Sequence, residues 1–359
     1  MGDFLKKVII TTGGTGGHIY PALAVAEELK KNDVDVLFVG SKSRMESKMV
    51  PENDLRFIGL DINPPKNFST AIKFLKSIKE AFNIVKREKP DAVIGFGNYI
   101  SVPIILASVL LRKKVYLQEQ NVNLGLANKL FYNFAKKTFL AFEKTYDDIP
   151  MKNQKKFKVT GNPLRKDVYN INYFEEKRNM KIENGEKVIL ITGGSLGAQE
   201  INDEVIKQWD KFYENKKIRV YWATGKENYE NIISKIDKKK ENDVIQPYFD
   251  NILNIMCIAD LVICRAGALT ISEIIELEKP AIIIPYSSVK VGQQENAKIL
   301  SEREAALVYN SGSVKQAIEE ALVLIRNDEI LRSMKIKVRS LKKNNASKEI
   351  VSNIDIWGN

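Results

Sequence analysis

Short runs of β-branched and other apolar residues recur along the chain. Each is followed by a glycine or polar turn and then by apolar positions at helical spacing. Val8–Ile10 is the first such run and reads as a buried strand. After Thr11 and Thr12 come Gly13, Gly14, Gly16 and Gly17, then Ile19, Leu23 and Ala26 at helical spacing. Pro21 sits in the first turn, where its missing N–H costs little. Val34–Val39, Asp91–Gly95, Val115–Gln118 and Lys137–Phe142 predict further strands. Between them lie an amphipathic helical stretch at 64–90 and an apolar helix at Tyr99–Leu111, and Val159–Pro163 reads as a domain end. The pattern then restarts: a strand at Val188–Thr192, a loop Gly193-Gly194-Ser195-Leu196-Gly197, and a helix from Ala198 to about Phe212. Asp260–Cys264 and Ala281–Pro285 predict two more strands, residues 315–345 a helix, and Ile350–Trp357 a tail packing back on the body. Alternating strands and helices predict parallel sheets. Two strand–glycine–helix units about 180 residues apart predict two similar α/β domains facing each other.

The totals agree. A chain of 359 residues, 44% hydrophobic and 28% charged, has material for two cores. Cys257 and Cys264 lie in apolar company and read as inert core residues; with one histidine they make neither a disulfide framework nor a zinc site. This suits a reducing compartment. No secretory leader or myristoylation signal is expected, and Tyr99–Leu111, the longest apolar stretch, is too short to span a bilayer. The net charge of +11 is lopsided: residues 1–160 hold 26 Lys+Arg against 16 Asp+Glu, and residues 161–359 hold 30 against 29. That asymmetry predicts an anionic partner for the first half. Nucleic acid lacks support, because no basic motif is interleaved with aromatics. Residues 64–90 carry seven Lys+Arg and two Glu, with Ala71, Phe74, Leu75, Ile78, Phe82 and Val85 on one stripe. Such a helix lies on an anionic membrane surface, or packs its stripe on the core with solvated lysines. Phe68 and the prolines before it read as an exposed loop.

Candidate chemistry centres on the two glycine loops, each placing a helix N-terminus beside a ligand. The first misses the dinucleotide fingerprint, since Gly14-x-Gly16-x-x ends on Ile19 and no acidic residue closes the second strand, and it lacks the Gly-Lys-Ser/Thr of a P-loop. His18, the sole histidine, stands at the lip of this loop, a place for chemistry or for a helix start. Thr270-x-x-Glu273 matches a capping box, which makes Glu273 a helix cap or, alternatively, a carboxylate binding vicinal ribose hydroxyls. Gln293 and Gln294 read as sugar ligands or as ordinary surface residues.

Together, Gly13–Pro21 (GGTGGHIYP), Gly193–Ala198 (GGSLGA), Cys264–Glu273 (CRAGALTISE) and Gln293-Gln294 resemble the MurG family, the membrane-associated glycosyltransferases of peptidoglycan synthesis, over nearly the whole chain. The resemblance implies a GT-B fold: two Rossmann-like α/β domains with parallel sheets facing across a cleft, residues 1–163 plus 343–359 on the acceptor and membrane side and 164–342 binding the UDP-sugar. It implies inverting transfer of N-acetylglucosamine from UDP-N-acetylglucosamine to the C4 hydroxyl of the muramoyl sugar of lipid I, giving lipid II, with no metal or cofactor, at the cytoplasmic face of the membrane. Carried over by position, the donor site falls on Thr15, Gly16, Gly17, Asn128, Arg165, Ser195, Phe249, Ala268, Leu269, Thr270, Ile271, Ser272, Glu273 and Gln294. At Phe249 the family has a small aliphatic residue, so contact there is expected through the backbone. Three departures stand out: the family's His-Glu-Gln-Asn reads Gln118-Glu119-Gln120-Asn121, its Gly-Gly-Tyr reads Gly97-Asn98-Tyr99, and its Gly-Gly-Ser-Gln-Gly carries Leu196. For the base that takes the acceptor proton, His18 is the first candidate and Glu119 the second. The rivals are an enzyme of the same fold acting on another lipid acceptor, such as diacylglycerol, and a UDP-sugar epimerase.

Overall fold

The computed structural model describes residues 6–64, 68–194, 197–288, 292–343 and 345–357; at Phe68 and Ser69 it describes the backbone alone. The chain divides into two compact units, Met1–Arg165 with Lys343–Asn359, and Lys166–Lys342.

In the first unit, strands β1 (Lys7–Thr11), β2 (Asp35–Ser41), β3 (Arg56–Leu60), β4 (Ala92–Gly95), β5 (Lys114–Glu119), β6 (Lys137–Leu140) and β7 (Phe157–Val159) form one sheet in the order β3-β2-β1-β4-β5-β6-β7. Every neighbouring pair is parallel. The period-two alternation of a strand divides its side chains between two cores. Val8, Ile10, Val36 and Phe38 face one layer with α1 (Gly16–Lys31) and α11 (Ala346–Ser352). Ile9, Leu37 and Val39 face the other with α3 (Phe68–Glu88) and α4 (Asn98–Leu110). Burying each such side chain contributes about 1.5–3 kcal/mol. The tail packs as expected: Ile350, Val351, Ile354 and Ile356 join the core that holds Ala22, Val25 and Leu29.

The second unit repeats the plan. Strands β8 (Lys187–Thr192), β9 (Ile218–Ala223), β10 (Val244–Gln246), β11 (Leu261–Cys264), β12 (Ala281–Ile283) and β13 (Ala306–Val308) lie parallel in the order β10-β9-β8-β11-β12-β13. In both sheets the strand before the glycine loop is the one where strand order reverses: β1 lies between β2 and β4, and β8 between β9 and β11. Open parallel sheets bind ligands at the carboxyl ends of such strands.

Five strands escape the apolar-run reading: β3, β7, β9, β10 and β13. β9 hides because Arg219 interrupts it; the buried guanidinium is matched by Glu186 at 2.7 Å. The helix expected over 315–345 is two, α9 (Val314–Leu324) and α10 (Asp328–Arg339), because Asn327 accepts the Ile330 N–H at 3.1 Å and starts a new helix. Along α3 the stripe splits. Ala81, Ile84 and Val85 are buried and Phe74 and Phe82 pack against them, whereas Leu75, expected on the stripe, is 65% exposed beside exposed Ile72. Phe68 begins the helix, so the exposed loop expected there ends before it. Pro65 and the Phe68 side chain lie outside the described residues. Among the described residues no helix is long and apolar enough to cross a membrane. Both cysteines are free and buried.

Candidate active site

The first glycine loop leaves β1 and enters α1 at Thr15. Thr15 is the N-cap residue but makes no side-chain cap, and helix geometry leaves the N–H groups of Gly16 and Gly17 without an intrahelical acceptor. Thr15 and Gly17 are exposed and Gly16 is half-buried. The expectation of free loop N–H groups does not extend to Gly14. Its N–H donates to Oε2 of Glu46 at 2.9 Å, from the one-turn helix α2 (Glu46–Met49).

His18 lies in the first turn of α1, and its Nδ1 faces two acceptors, the Phe96 carbonyl at 3.0 Å and Gln120 Oε1 at 2.9 Å. Two acceptors require a proton on Nδ1, which in the neutral ring leaves the lone pair on Nε2. The Gln120 amide is oriented by its other end: Nε2 donates to the Phe96 carbonyl at 3.0 Å and to Gln118 Oε1 at 2.5 Å. Gln118 in turn donates to Asn162 Oδ1 at 3.2 Å, and Asn162 donates back to the Gln120 carbonyl at 3.1 Å. Gln118 is fully buried in a chain of amides that fixes the tautomer of His18.

Glu119 is buried too, and its carboxylate is filled. Oε1 accepts from the backbone N–H of Asn121 at 3.1 Å and its side-chain amide at 3.3 Å. Oε2 accepts from Gly125 N at 2.7 Å and Asn128 Nδ2 at 2.8 Å. It ties the 121–128 turn to the start of α5 (Leu126–Phe131). Asn128 is fully buried, donates also to the Gln118 carbonyl at 3.1 Å, and keeps its Oδ1 without a hydrogen-bond partner. Asn98 sits at φ +54, in the left-handed region that asparagine tolerates better than most residues. Its side chain accepts the Ile100 N–H at 2.8 Å and donates to the Gly13 carbonyl. At the end of the unit the Arg165 guanidinium stacks over the Tyr20 ring, 4.8 Å from its centroid.

In the second unit, Ser195 and Leu196 lie outside the described residues. The loop around them is tight: Gly194 and Gly197 have φ +80 and +78, and a Cβ on Gly197 would strike the Thr224 carbonyl. Phe249 is buried with its ring against Tyr221, centroids 6.1 Å apart. Helix α7 (Ala268–Leu277) is capped by Gly267. Thr270 is therefore its third residue, and the capping box expected from Thr270 and Glu273 does not form. Leu269 and Thr270 are half-buried, Ala268, Ser272 and Glu273 are 8% exposed, and Ile271 is fully buried. Glu273 lies near Cys264, whose thiol is pushed up to about 12, chiefly by burial and further by the Glu273 charge. At the start of α8 (Gln293–Ser301), Gln293 Oε1 accepts the Tyr286 N–H at 2.9 Å, while Gln294 is exposed.

The structure thus gathers His18, Glu119 and Asn128 with Gln118, Gln120 and Asn162, and separately packs α7, which carries Ala268–Glu273, against α8, which carries Gln294. Sequence reasoning passed over Glu46, whose only signal was an acidic residue following Gly40-Ser41.

Two family models match the chain: the glycosyltransferase family 28 N-terminal domain over residues 8–140 and the family 28 C-terminal domain over residues 188–352. The chain is 59% identical over 355 residues to the UDP-N-acetylglucosamine–N-acetylmuramyl-(pentapeptide) pyrophosphoryl-undecaprenol N-acetylglucosamine transferase of Fusobacterium nucleatum subsp. nucleatum, with 99% of each chain covered. It is 36% identical over 346 residues to the enzyme of the same name from Halothermothrix orenii, covering 91% of this chain and 92% of that one. Among solved structures, Acinetobacter baumannii MurG matches with a TM-score of 0.77 at 28% identity, covering 97% of this chain and 98% of that one.

Proposed function

The chain belongs to glycosyltransferase family 28 and is an N-acetylglucosaminyltransferase that converts lipid I to lipid II with UDP-N-acetylglucosamine as donor; on that premise we propose an inverting, metal-independent displacement with His18 as its base. The observation that carries the assignment is the double acceptor at His18 Nδ1, which reserves Nε2 for a proton. The muramoyl C4 hydroxyl attacks the anomeric carbon from the face opposite UDP. The new C–O bond forms as the bond to the diphosphate breaks, the hydroxyl proton passes to Nε2, and UDP departs with the bonding pair. Inversion turns the α linkage of the donor into a β linkage. Charge growing on the leaving diphosphate is met by N–H groups at helix N-termini. Donor contacts are assigned to Thr15, Gly16, Gly17, Asn128 and Arg165, and to Ser195, the Phe249 backbone, Ala268–Glu273 and Gln294, with Glu273 accepting from the ribose hydroxyls. Glu119, its carboxylate already filled by four donors, holds the 121–128 turn.

The experiment is incubation of the purified protein with UDP-N-acetylglucosamine and a short-chain lipid I analogue. The expected product is a β-linked disaccharide, formed at the same rate with and without EDTA. No product while the donor still binds points to another acceptor, and conversion of the UDP-sugar alone marks an epimerase. An α linkage overturns inversion.

The enzyme works as a peripheral protein at the cytoplasmic face of the membrane, through the surface of residues 64–90. Support comes from exposed Ile72 and Leu75 beside exposed Lys73, Lys76 and Lys79. Joint reversal of the three lysines to Glu weakens binding to anionic liposomes; unchanged binding overturns the assignment.

A further inference from the structure

The Gly13–Gly14 peptide is gripped at both ends by side chains from opposite sides. Its N–H donates to Glu46 Oε2 at 2.9 Å, and its carbonyl accepts from Asn98 Nδ2. Glu46 follows β2 and Asn98 follows β4, the two strands flanking β1, so each neighbour supplies one latch. Glu46 is fully buried, and its second oxygen accepts the Ser41 N–H at 2.8 Å. The loop is carved around this carboxylate: a Cβ on Gly13 would overlap it, and a Cβ on Gly40 would come within 2.8 Å of its Cγ. With glycine on both sides, and Gly14 at φ +91, this peptide plane is free to rotate through half a turn unless something holds it. Rotation would re-aim the residues that follow, Thr15 to His18.

We propose that Glu46 and Asn98 are positioning residues for the transfer reaction, which together hold the Gly13–Gly14 peptide in the one orientation that presents Thr15–His18 to the substrates. The proposal rests on the assignment of that loop and of His18 to the reaction. Either latch alone still biases the peptide, so their effects are coupled. Glu46→Gln keeps the size but leaves one acceptor for two N–H groups, and Asn98→Gly removes the other latch at a position where glycine accepts φ +54 freely.

The test measures kcat and donor KM for the wild type, both single variants and the double variant, with thermal melts of each. Glu46→Gln is expected to lower kcat about tenfold and Asn98→Gly two- to threefold, with KM moving less than kcat. The double variant is expected to lose more than the product of the single losses while melting cooperatively. In protein labelled with ¹⁵N-glycine, the Gly14 amide resonance shifts in Glu46→Gln. Single losses that merely multiply, or a folded double variant with full kcat, overturn the shared latch. A wild type that forms no disaccharide would instead be a failure of the assigned reaction, and the Gly14 resonance still reports the Glu46 bond in that case.

Discussion

The two glycine loops share a sequence signature and stand at equivalent places in their sheets, yet they are built differently. The first is held by side chains from neighbouring strands: Glu46 on the Gly14 N–H, Asn98 on the Gly13 carbonyl, and an amide chain behind His18. The second is held within its own segment: the Gly197 N–H donates to the Gly194 carbonyl at 3.1 Å. Gly194 N–H donates to Thr192 Oγ1 at 3.2 Å, and Gly197 packs on the Thr224 carbonyl with Gly225 Cα 3.0 Å from the position of a Cβ. One loop carries a titratable group in a defined tautomer, and the other is a tight turn delivering a helix. A strand–glycine–helix motif therefore does not by itself say how its loop is held; the neighbouring side chains do.

The sharpest way to break this contrast is His18→Ala. We expect kcat to fall about 10²–10⁴-fold, the usual worth of a general base, while donor affinity measured by calorimetry stays within about threefold. Near-normal turnover would remove the distinction between the loops. Next, Gly197→Ala forces a Cβ into the Thr224 carbonyl at φ +78 and is expected to cost about 3 kcal/mol or more of stability, read from denaturant melts.

A buried lysine of the second unit should act on stability alone. The Lys279 ammonium, buried against the Cys257 and Ala259 carbonyls, has its pKa lowered to about 8 by burial. Between pH 8 and the ordinary lysine value the unfolded chain binds a proton that the native chain has shed. Stability attributable to Lys279 therefore rises with pH through that window, by about 3 kcal/mol at most, and falls as pH drops towards 8. Lys279→Met should flatten this part of the pH–stability curve, and an unchanged slope would contradict it.

Glu119→Gln is expected to cost about 1–3 kcal/mol, because a carboxylate accepting four hydrogen bonds becomes an amide facing donors. Activity per folded molecule should stay within a few-fold, in contrast to His18→Ala. The smallest effect is on the melt of Gly17→Ala: a Cβ there meets only Thr15 Oγ1 at 3.8 Å. Stability should hold or rise by a few tenths of a kcal/mol, so any loss of kcat/KM reports the approach of a ligand to the loop.

Legibility followed the range of the interactions involved. Strands with uninterrupted apolar runs, such as Val8–Ile10 and Val188–Thr192, were readable because burial on both faces of a parallel sheet leaves its mark within a few residues. Arg219 hid β9, since the Glu186 that neutralises it lies 33 positions away. At Glu273 the local pattern misled: Thr270-x-x-Glu273 fits a capping box, but Gly267 starts the helix three residues earlier.

By itself the chain determined two α/β units with parallel sheets, the two glycine loops that end their central strands, and the histidine beside one of them. These follow from hydrophobic periodicity and from glycine, which act locally. Only the tertiary structure decided the hydrogen-bond partners of these groups. Phe96 and Gln120 set the proton of His18 from 78 and 102 residues away, and Glu46 takes the Gly14 N–H from 32 residues away. Hydrogen bonds reach about 3 Å in space whatever their distance along the chain, so the partners of His18, Glu119 and Glu46 were set where β1, β2, β4 and β5 bring their ends together.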